Sequence, residues 1–341
     1  MTHSIPLKVA VVGCGYWGPN LVRNFQSLPD CRVEQVCDLD PERLRHMRQL
    51  YPDLRTTTDF PTILENQEIR AVAIATPVRS HFPLARQCLE QGKHILIEKP
   101  MALSVDQCIQ LNRLADDRGL TLMVGHTYLY GSVVNRIREI VRSGDLGEIF
   151  YIASQRLNLG LFQQDINVAW DLAPHDLSII LHVLGERPVA VNCQGKSHLT
   201  PGIQDVSTMW LEFSSGAVVT VHNSWLDPNK VRRITIVGSR KMILYDETQP
   251  HEKLKIYDRR VEAPPHYDSF AEFQYAYHYG DTFAPYIQQV EPLMAECGHF
   301  IDCVRNGTEP RSNGRQGLEV VKILEAASRS MTADGSRQPL R

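Results

Sequence analysis

LKVAVVGCGYWGPN (residues 7–20) opens the chain with an apolar run that stops at three glycines. A G-x-G-x-x-G turn is weak evidence alone; its meaning depends on its flanks. Here the apolar KVAVVG before it reads as a buried strand, and NLVRNFQSL after it has helical period. In that setting Gly13, Gly15 and Gly18 allow a tight turn, a close backbone approach to a pyrophosphate and close helix–strand packing. The helix N-terminus offers N–H groups and a positive dipole end to phosphates, with Tyr16 and Trp17 in the same turn. Asp38 ends the second strand pattern, where a carboxylate accepts hydrogen bonds from ribose 2′- and 3′-hydroxyls. A 2′-phosphate is repelled there, and Leu39 and Asp40 bring no cation, so NAD is expected and NADP disfavoured. A glycine turn without a ligand is the alternative reading.

Strand and helix patterns continue to alternate outward from this turn. RVEQVCD, AVAIATP (71–77), HILIEKP and TLMVGH read as strands; PERLRHMRQL, HFPLARQCLEQG and SVDQCIQLNRLADDRG read as helices. Strict alternation predicts a doubly wound parallel sheet over residues 1–125. Ligands bind outside the carboxyl ends of such strands. The strand-ending stretches IATPVRSH (74–81) and IEKP (97–100) therefore join the glycine turn around one crevice. Lys99, restricted to extended angles by Pro100, points its ammonium there. A solvated lysine before a turn is the bland alternative.

From about residue 147 the rhythm changes. GEIFYIASQRLNLG, ERPVAVNCQGKSH, DVSTMWLEFSSGAVVTVHNSWLD, VRRITIVGSRKMILYDE and KLKIYDRRV are long strand candidates, with SSG at 214–216 a hairpin turn. The helix PHDLSIILHVLG interrupts them, and two helices at about 291–306 and 315–332 follow. Residues 126–341 thus read as an α+β domain with a large, mostly antiparallel sheet, whose last helices can pack back on the first domain. Residues 260–290, rich in Pro, Tyr and His, read as a long irregular segment near the active site or at an oligomer contact.

The bulk numbers narrow the classes. A chain of 341 residues favours two domains and needs no disulfide or metal staple. The net charge is −3 with no Lys/Arg block, which argues against a nucleic-acid partner. No signal-peptide pattern and no apolar run of about 18 residues are seen, so no membrane partner is expected. The eight cysteines form no CxxC pair and read as reduced core thiols of a cytoplasmic protein. No HExxH or comparable cluster predicts a metal.

GCGYWG, the strand-ending Asp38, T-P-x-x-x-H (76–81), E-K-P (98–100), W-D-L-A-P-H-D (170–176) and the tail HFIDCVRNGTEPRSNGRQGLEVVKILEAASRS resemble, in order and spacing, the Gfo/Idh/MocA family of oxidoreductases. The resemblance covers essentially the whole chain. It implies a Rossmann domain, an open-faced sheet domain and sugar or cyclitol substrates. It places Thr76, Pro77, His81, Glu98 and Lys99 with the cofactor, and catalytic roles on Lys99, Asp171 and His175. The chain departs from the pattern at Val78, where many members have Asn, and at GHTYLYG (125–131), where many read GFNRRF.

Oxidation of a secondary alcohol needs a base for the hydroxyl proton and donors that polarise the oxygen. Pro174 suits the first turn of its helix, which puts His175 near the positive dipole end as a neutral base. Asp171 then holds the substrate hydroxyl, orients His175 or merely caps the helix. Lys99 donates to the reacting oxygen. Asp176 reads as a first-turn charge or a partner of His175. His126, Tyr128, Arg156 and Asn158 are candidate substrate contacts, each with a packing role as alternative. The expected function is an NAD-dependent dehydrogenase of a pyranose ring hydroxyl, with the 3-hydroxyl of a nucleotide-activated sugar as its specific form. An inositol or free-sugar dehydrogenase is the alternative, and a non-catalytic ligand sensor the alternative of another class. A homodimer or homotetramer is expected from the broad sheet.

Overall fold

The structure, a computed structural model, describes residues 5–262 and 275–340. The chain divides into two compact units, Met1–Gly131 with Val290–Lys322, and Ser132–Gln289 with Ile323–Arg341. In the first unit β1 (Leu7–Val12), α1 (Gly18–Gln26), β2 (Cys31–Cys37), α2 (Pro41–Leu50), β3 (Arg55–Thr57), α3 (Pro61–Glu65), β4 (Ala71–Ile74), α4 (His81–Glu90), β5 (His94–Glu98), α5 (Val105–Arg118) and β6 (Leu122–Gly125) alternate as expected. The six strands pair in parallel in the order β3-β2-β1-β4-β5-β6. Every residue of β4 and β6 is buried, the pattern of strands covered on both faces. Strand order reverses between β1 and β4, which opens a crevice at their carboxyl ends.

The second unit holds α6 (Ser132–Arg142), β7 (Ile149–Leu159), α7 (Val168–Leu184), β8 (Pro188–Lys196), β9 (Val206–Phe213), β10 (Val218–Ser224), β11 (Leu226–Gly238), β12 (Met242–Asp246), β13 (Leu254–Glu262) and β14 (Ala276–Phe283). With β15 (Gln338–Pro339) they form a nine-stranded sheet, β14-β13-β12-β11-β7-β10-β9-β8-β15, in which only β7 and β10 pair in parallel. The β9–β10 hairpin turns through Gly216 at φ +91°, as the SSG motif requires.

Three sequence expectations need correction. The long helix of this unit starts at Val168 rather than Pro174, because the extended Asn167 accepts the Trp170 N–H at 3.1 Å and caps it. Pro174 therefore lies inside α7, where it leaves the Trp170 carbonyl without a helical donor. VRRITIVGSRKMILYDE is two strands, since Gly238 packs so close to the Leu146 carbonyl that a Cβ would come within 2.2 Å, and the chain turns there. Of the segment expected to be irregular, Ala276–Phe283 is a strand paired with β13, and residues 263–274 lie outside the described residues.

The chain returns to the first unit with α8 (Pro292–Asn306), whose Leu293, Cys297, Phe300 and Ile301 join the core of β1, β2 and α1. Phe300 lies edge-on to Phe25 with ring centroids 6.3 Å apart. Then α9 (Gly314–Thr332) runs on into the second unit. All eight cysteines are buried, and none is joined in a disulfide.

Candidate active site

The glycine turn sits at the carboxyl end of β1, and each glycine does a different job. Gly13 has φ +94°, and a Cβ there would lie 2.6 Å from the Ala75 carbonyl oxygen of the neighbouring loop. A Cβ on Gly18 would lie 2.0 Å from the Gly13 carbonyl oxygen, so turn and helix close on each other. At Gly15 the one atom of the described residues within 4 Å of a Cβ is an Arg43 nitrogen at 3.6 Å, which leaves open space over the backbone. No side chain caps α1 at Trp17, whose carbonyl accepts the Asn20 and Leu21 N–H groups at 3.0 and 3.2 Å, while Pro19 carries none. Tyr16 is 86% exposed and stacks on the half-buried Trp17.

Asp38 is fixed from both sides. The Cys14 N–H donates to one carboxylate oxygen at 2.6 Å and the Asp40 N–H to the other at 2.8 Å. Lone pairs remain on each oxygen for hydroxyl donors. Arg43, in the first turn of α2 and not weighed in the sequence reading, approaches Asp38 and Asp40 at 3.5 Å each. An open glycine cradle, an uncapped helix start and an anchored carboxylate fit a dinucleotide whose ribose hydroxyls are free.

Thr76 and Pro77 follow β4, where the Ser80 hydroxyl donates to Thr76 Oγ1 at 2.8 Å. His81 is 1% exposed, with its ring nitrogens 2.9 Å from the Thr76 and Pro100 carbonyl oxygens, so it binds together the two stretches that follow β4 and β5. Lys99 is half-buried at the end of β5, before a cis peptide bond to Pro100. Beside it the Glu98 carboxyl lies against Gly125, where a Cβ would come within 3.0 Å of it, and accepts the Lys99 N–H at 3.3 Å. Burial pushes Glu98 up to about 7, against the pull of Lys99. His126, read as a substrate contact or a packing residue, has its ring 1% exposed, and burial, then the nearby Lys99 charge, hold it down at about 3. Neither of its ring nitrogens has a hydrogen-bond partner among the described residues. The fully buried Glu296 of α8 accepts the Thr127 hydroxyl at 2.7 Å, and burial, then Glu98, push its carboxyl well above the usual range. Tyr128 is half-buried in the turn after β6.

In the second unit, Asp171 and His175 stand one turn apart on α7. From Val168 to Val183 every residue is buried except Asp171, Leu172 and His175, so the helix has one open patch and it carries the acid and the histidine. Asp171 does not cap the helix; it accepts the indole N–H of Trp225 at 3.1 Å. Trp225, 1% exposed, is a site residue that sequence reading missed. Asn158 is half-buried close by, near Gly160, where a Cβ would lie 2.8 Å from the Trp225 ring. Arg156, read as a substrate contact with a packing role as alternative, is buried and gives Asp176 of α7 two hydrogen bonds, at 2.9 and 3.0 Å. Its remaining nitrogen lies 3.7 Å from Glu247. This pair ties the helix residue after His175 to β7.

Among the described residues, no group of three or more His, Cys, Asp or Glu is placed to hold a metal ion. No helix among them is long and apolar enough to cross a membrane.

Comparison with known proteins gives concordant results. Residues 7–126 match the model of an oxidoreductase family with an NAD-binding Rossmann fold, and residues 134–244 match the GFO/IDH/MocA C-terminal domain. A UDP-N-acetylglucosamine 3-dehydrogenase of Acidithiobacillus ferrooxidans is 28% identical over 265 residues, 76% of this chain and 80% of the relative. A scyllo-inositol 2-dehydrogenase (NAD(+)) of Bacillus subtilis is 25% identical over 325 residues, 91% of this chain and 89% of the relative. The crystal structure of the WlbA dehydrogenase of Bordetella pertussis, in complex with NADH and UDP-GlcNAcA, is similar with a TM-score of 0.79 at 20% identity, over 98% of this chain and 99% of that one.

Proposed function

Because the chain belongs to the Gfo/Idh/MocA family of NAD-binding sugar oxidoreductases, we propose that it oxidises a ring secondary hydroxyl of a sugar, with C3 of a nucleotide-activated sugar as the position attacked. The single open patch of α7, with Asp171 and His175 spaced by four, carries this reading. An otherwise buried helix that exposes an acid and a histidine together presents a base and its partner.

NAD supplies the hydride acceptor. Gly15, the start of α1 and Asp38 hold its pyrophosphate and ribose. Lys99 donates a hydrogen bond to the reacting oxygen and stabilises negative charge as it develops there. His175 takes the hydroxyl proton through a ring nitrogen. Asp171, oriented by Trp225, holds the substrate hydroxyl or the His175 ring. Arg156 and Asp176 are outside the chemistry and fix the helix that bears it. We extend the reading to self-association: opposite α7 the sheet exposes Tyr151 and Trp210 by 43% and 44%. Light scattering is expected to give a dimer or tetramer; a monomer at micromolar concentration removes this part.

The test is absorbance at 340 nm with NAD and a panel of UDP- and TDP-sugars, free sugars and inositols, wild type beside Lys99→Ala. Turnover of a nucleotide-sugar that drops on the order of a hundredfold or more in the variant supports the proposal. Turnover of an inositol or free sugar alone moves the substrate to the relatives' polyol class. NAD binding without turnover of any compound points to a ligand sensor.

A further inference from the structure

We infer that His81 is a positioning residue for Lys99, its ring carrying a proton on each nitrogen and stapling the carbonyl of Pro100 to the carbonyl of Thr76.

The ladder between β4 and β5 stops at Ile74 opposite Ile97. Beyond it the two chains carry Thr76 on one side and Lys99–Pro100 on the other. The His81 ring fills this gap, with Nε2 2.9 Å from the Thr76 oxygen and Nδ1 2.9 Å from the Pro100 oxygen. Both distances are those of a full N–H···O bond. A carbonyl oxygen only accepts, and a neutral imidazole has one N–H and one lone pair. A neutral ring would set a lone pair against one of the two oxygens at bonding distance. With the ring 1% exposed, solvent has no room to relieve that contact. The imidazolium satisfies both carbonyls with charge-assisted bonds. Burial and the start of α4, where His81 is the first residue, act against the charge. Two acceptors aimed at the two nitrogens act for it. Pinning the Pro100 carbonyl pins the backbone beside Lys99, so the staple fixes the base from which the ammonium reaches out.

The protonation half is independent of the catalytic reading; the positioning half rests on the role given to Lys99. Neutron diffraction from deuterium-exchanged crystals at pH 7 reads the ring directly. Deuterium on both nitrogens supports the staple, and deuterium on one alone overturns it. In solution, His81→Asn reaches one carbonyl at most, so kcat is expected to fall about tenfold or more while calorimetry gives a Kd for NAD within a few-fold of wild type. His81→Gln serves if the Asn variant does not fold. Unchanged kcat in a folded variant overturns the positioning role, provided Lys99→Ala abolishes turnover. Should Lys99→Ala retain turnover, the catalytic reading of Lys99 is what has failed, and the neutron result still decides the staple.

Discussion

Glu98 shows how a single buried group ties the cofactor side of the molecule to solution pH. Its carboxyl lies against Gly125, and burial raises it from 4.5 to about 7. The ionised form is thus less stable in the fold than in the unfolded chain. Between those two values the folded state binds more protons, so its contribution is complete below pH 4.5 and lost as pH rises through 7. The loss amounts to about 3 kcal/mol. Glu98→Gln should not suffer it: urea unfolding at pH 5 and pH 8 is expected to show wild type falling behind the variant by about 2 to 3 kcal/mol. Equal changes in both proteins would mean that the carboxyl is solvated. Residues of this kind are where sequence reading falls short. Trp225 and the Arg156–Asp176 pair were missed or misassigned because their partners are 54 and 20 positions away and no local pattern names them, whereas Arg43, three positions after Asp40, lay within reach of a local reading. The glycines were legible because a backbone that tolerates no Cβ leaves glycine in the sequence itself.

Elements were readable in proportion to how fully their own residues determine them. Strands β1, β4, β5 and β6 are covered on both faces, and continuous apolar runs bounded by glycine, proline or charge admit few other readings. The start of α7 was misplaced because proline is a strong punctuator and Asn167 a modest one. In the fold the capping bond to Trp170 and the side-chain bond from Asn167 to Gln204 prevail over the missing N–H of Pro174. That shift has a functional consequence. His175 stands in the third turn of the helix, so the base role proposed for it draws on the open patch and not on the helix dipole, which fades within the first turn. Strand β14 went unread because its pattern, AYHYGDTF, alternates aromatic with polar residues that are nearly all exposed. Pairing with β13 holds it there, and pairing is not written in one strand alone.

The chain as a whole does not follow its domains in sequence order. Residues up to Gly131 build the parallel sheet, yet the core of that unit is completed by α8, more than 150 residues later. Burying Leu293, Phe300 and Ile301 contributes about 2 kcal/mol each, roughly 6 kcal/mol together. Against a total stability of about 5–15 kcal/mol for a domain, a loss of that size removes most or all of it. Residues 1–131 alone are therefore expected to give no cooperative transition in urea and to bind no NAD. The remedy is also set by the fold. A Cβ on Gly131 would lie 3.9 Å from the Pro292 side chain, so the two segments of this unit end close together. Residues 1–131 joined to 290–322 by a short Gly-Ser linker should unfold cooperatively and bind NAD in calorimetry, since the glycine turn, Asp38, Thr76 and Lys99 all lie in this unit. If residues 1–131 alone unfold as sharply and bind NAD as tightly as the joined chain, α8 is dispensable to the cofactor domain and its buried face needs another explanation.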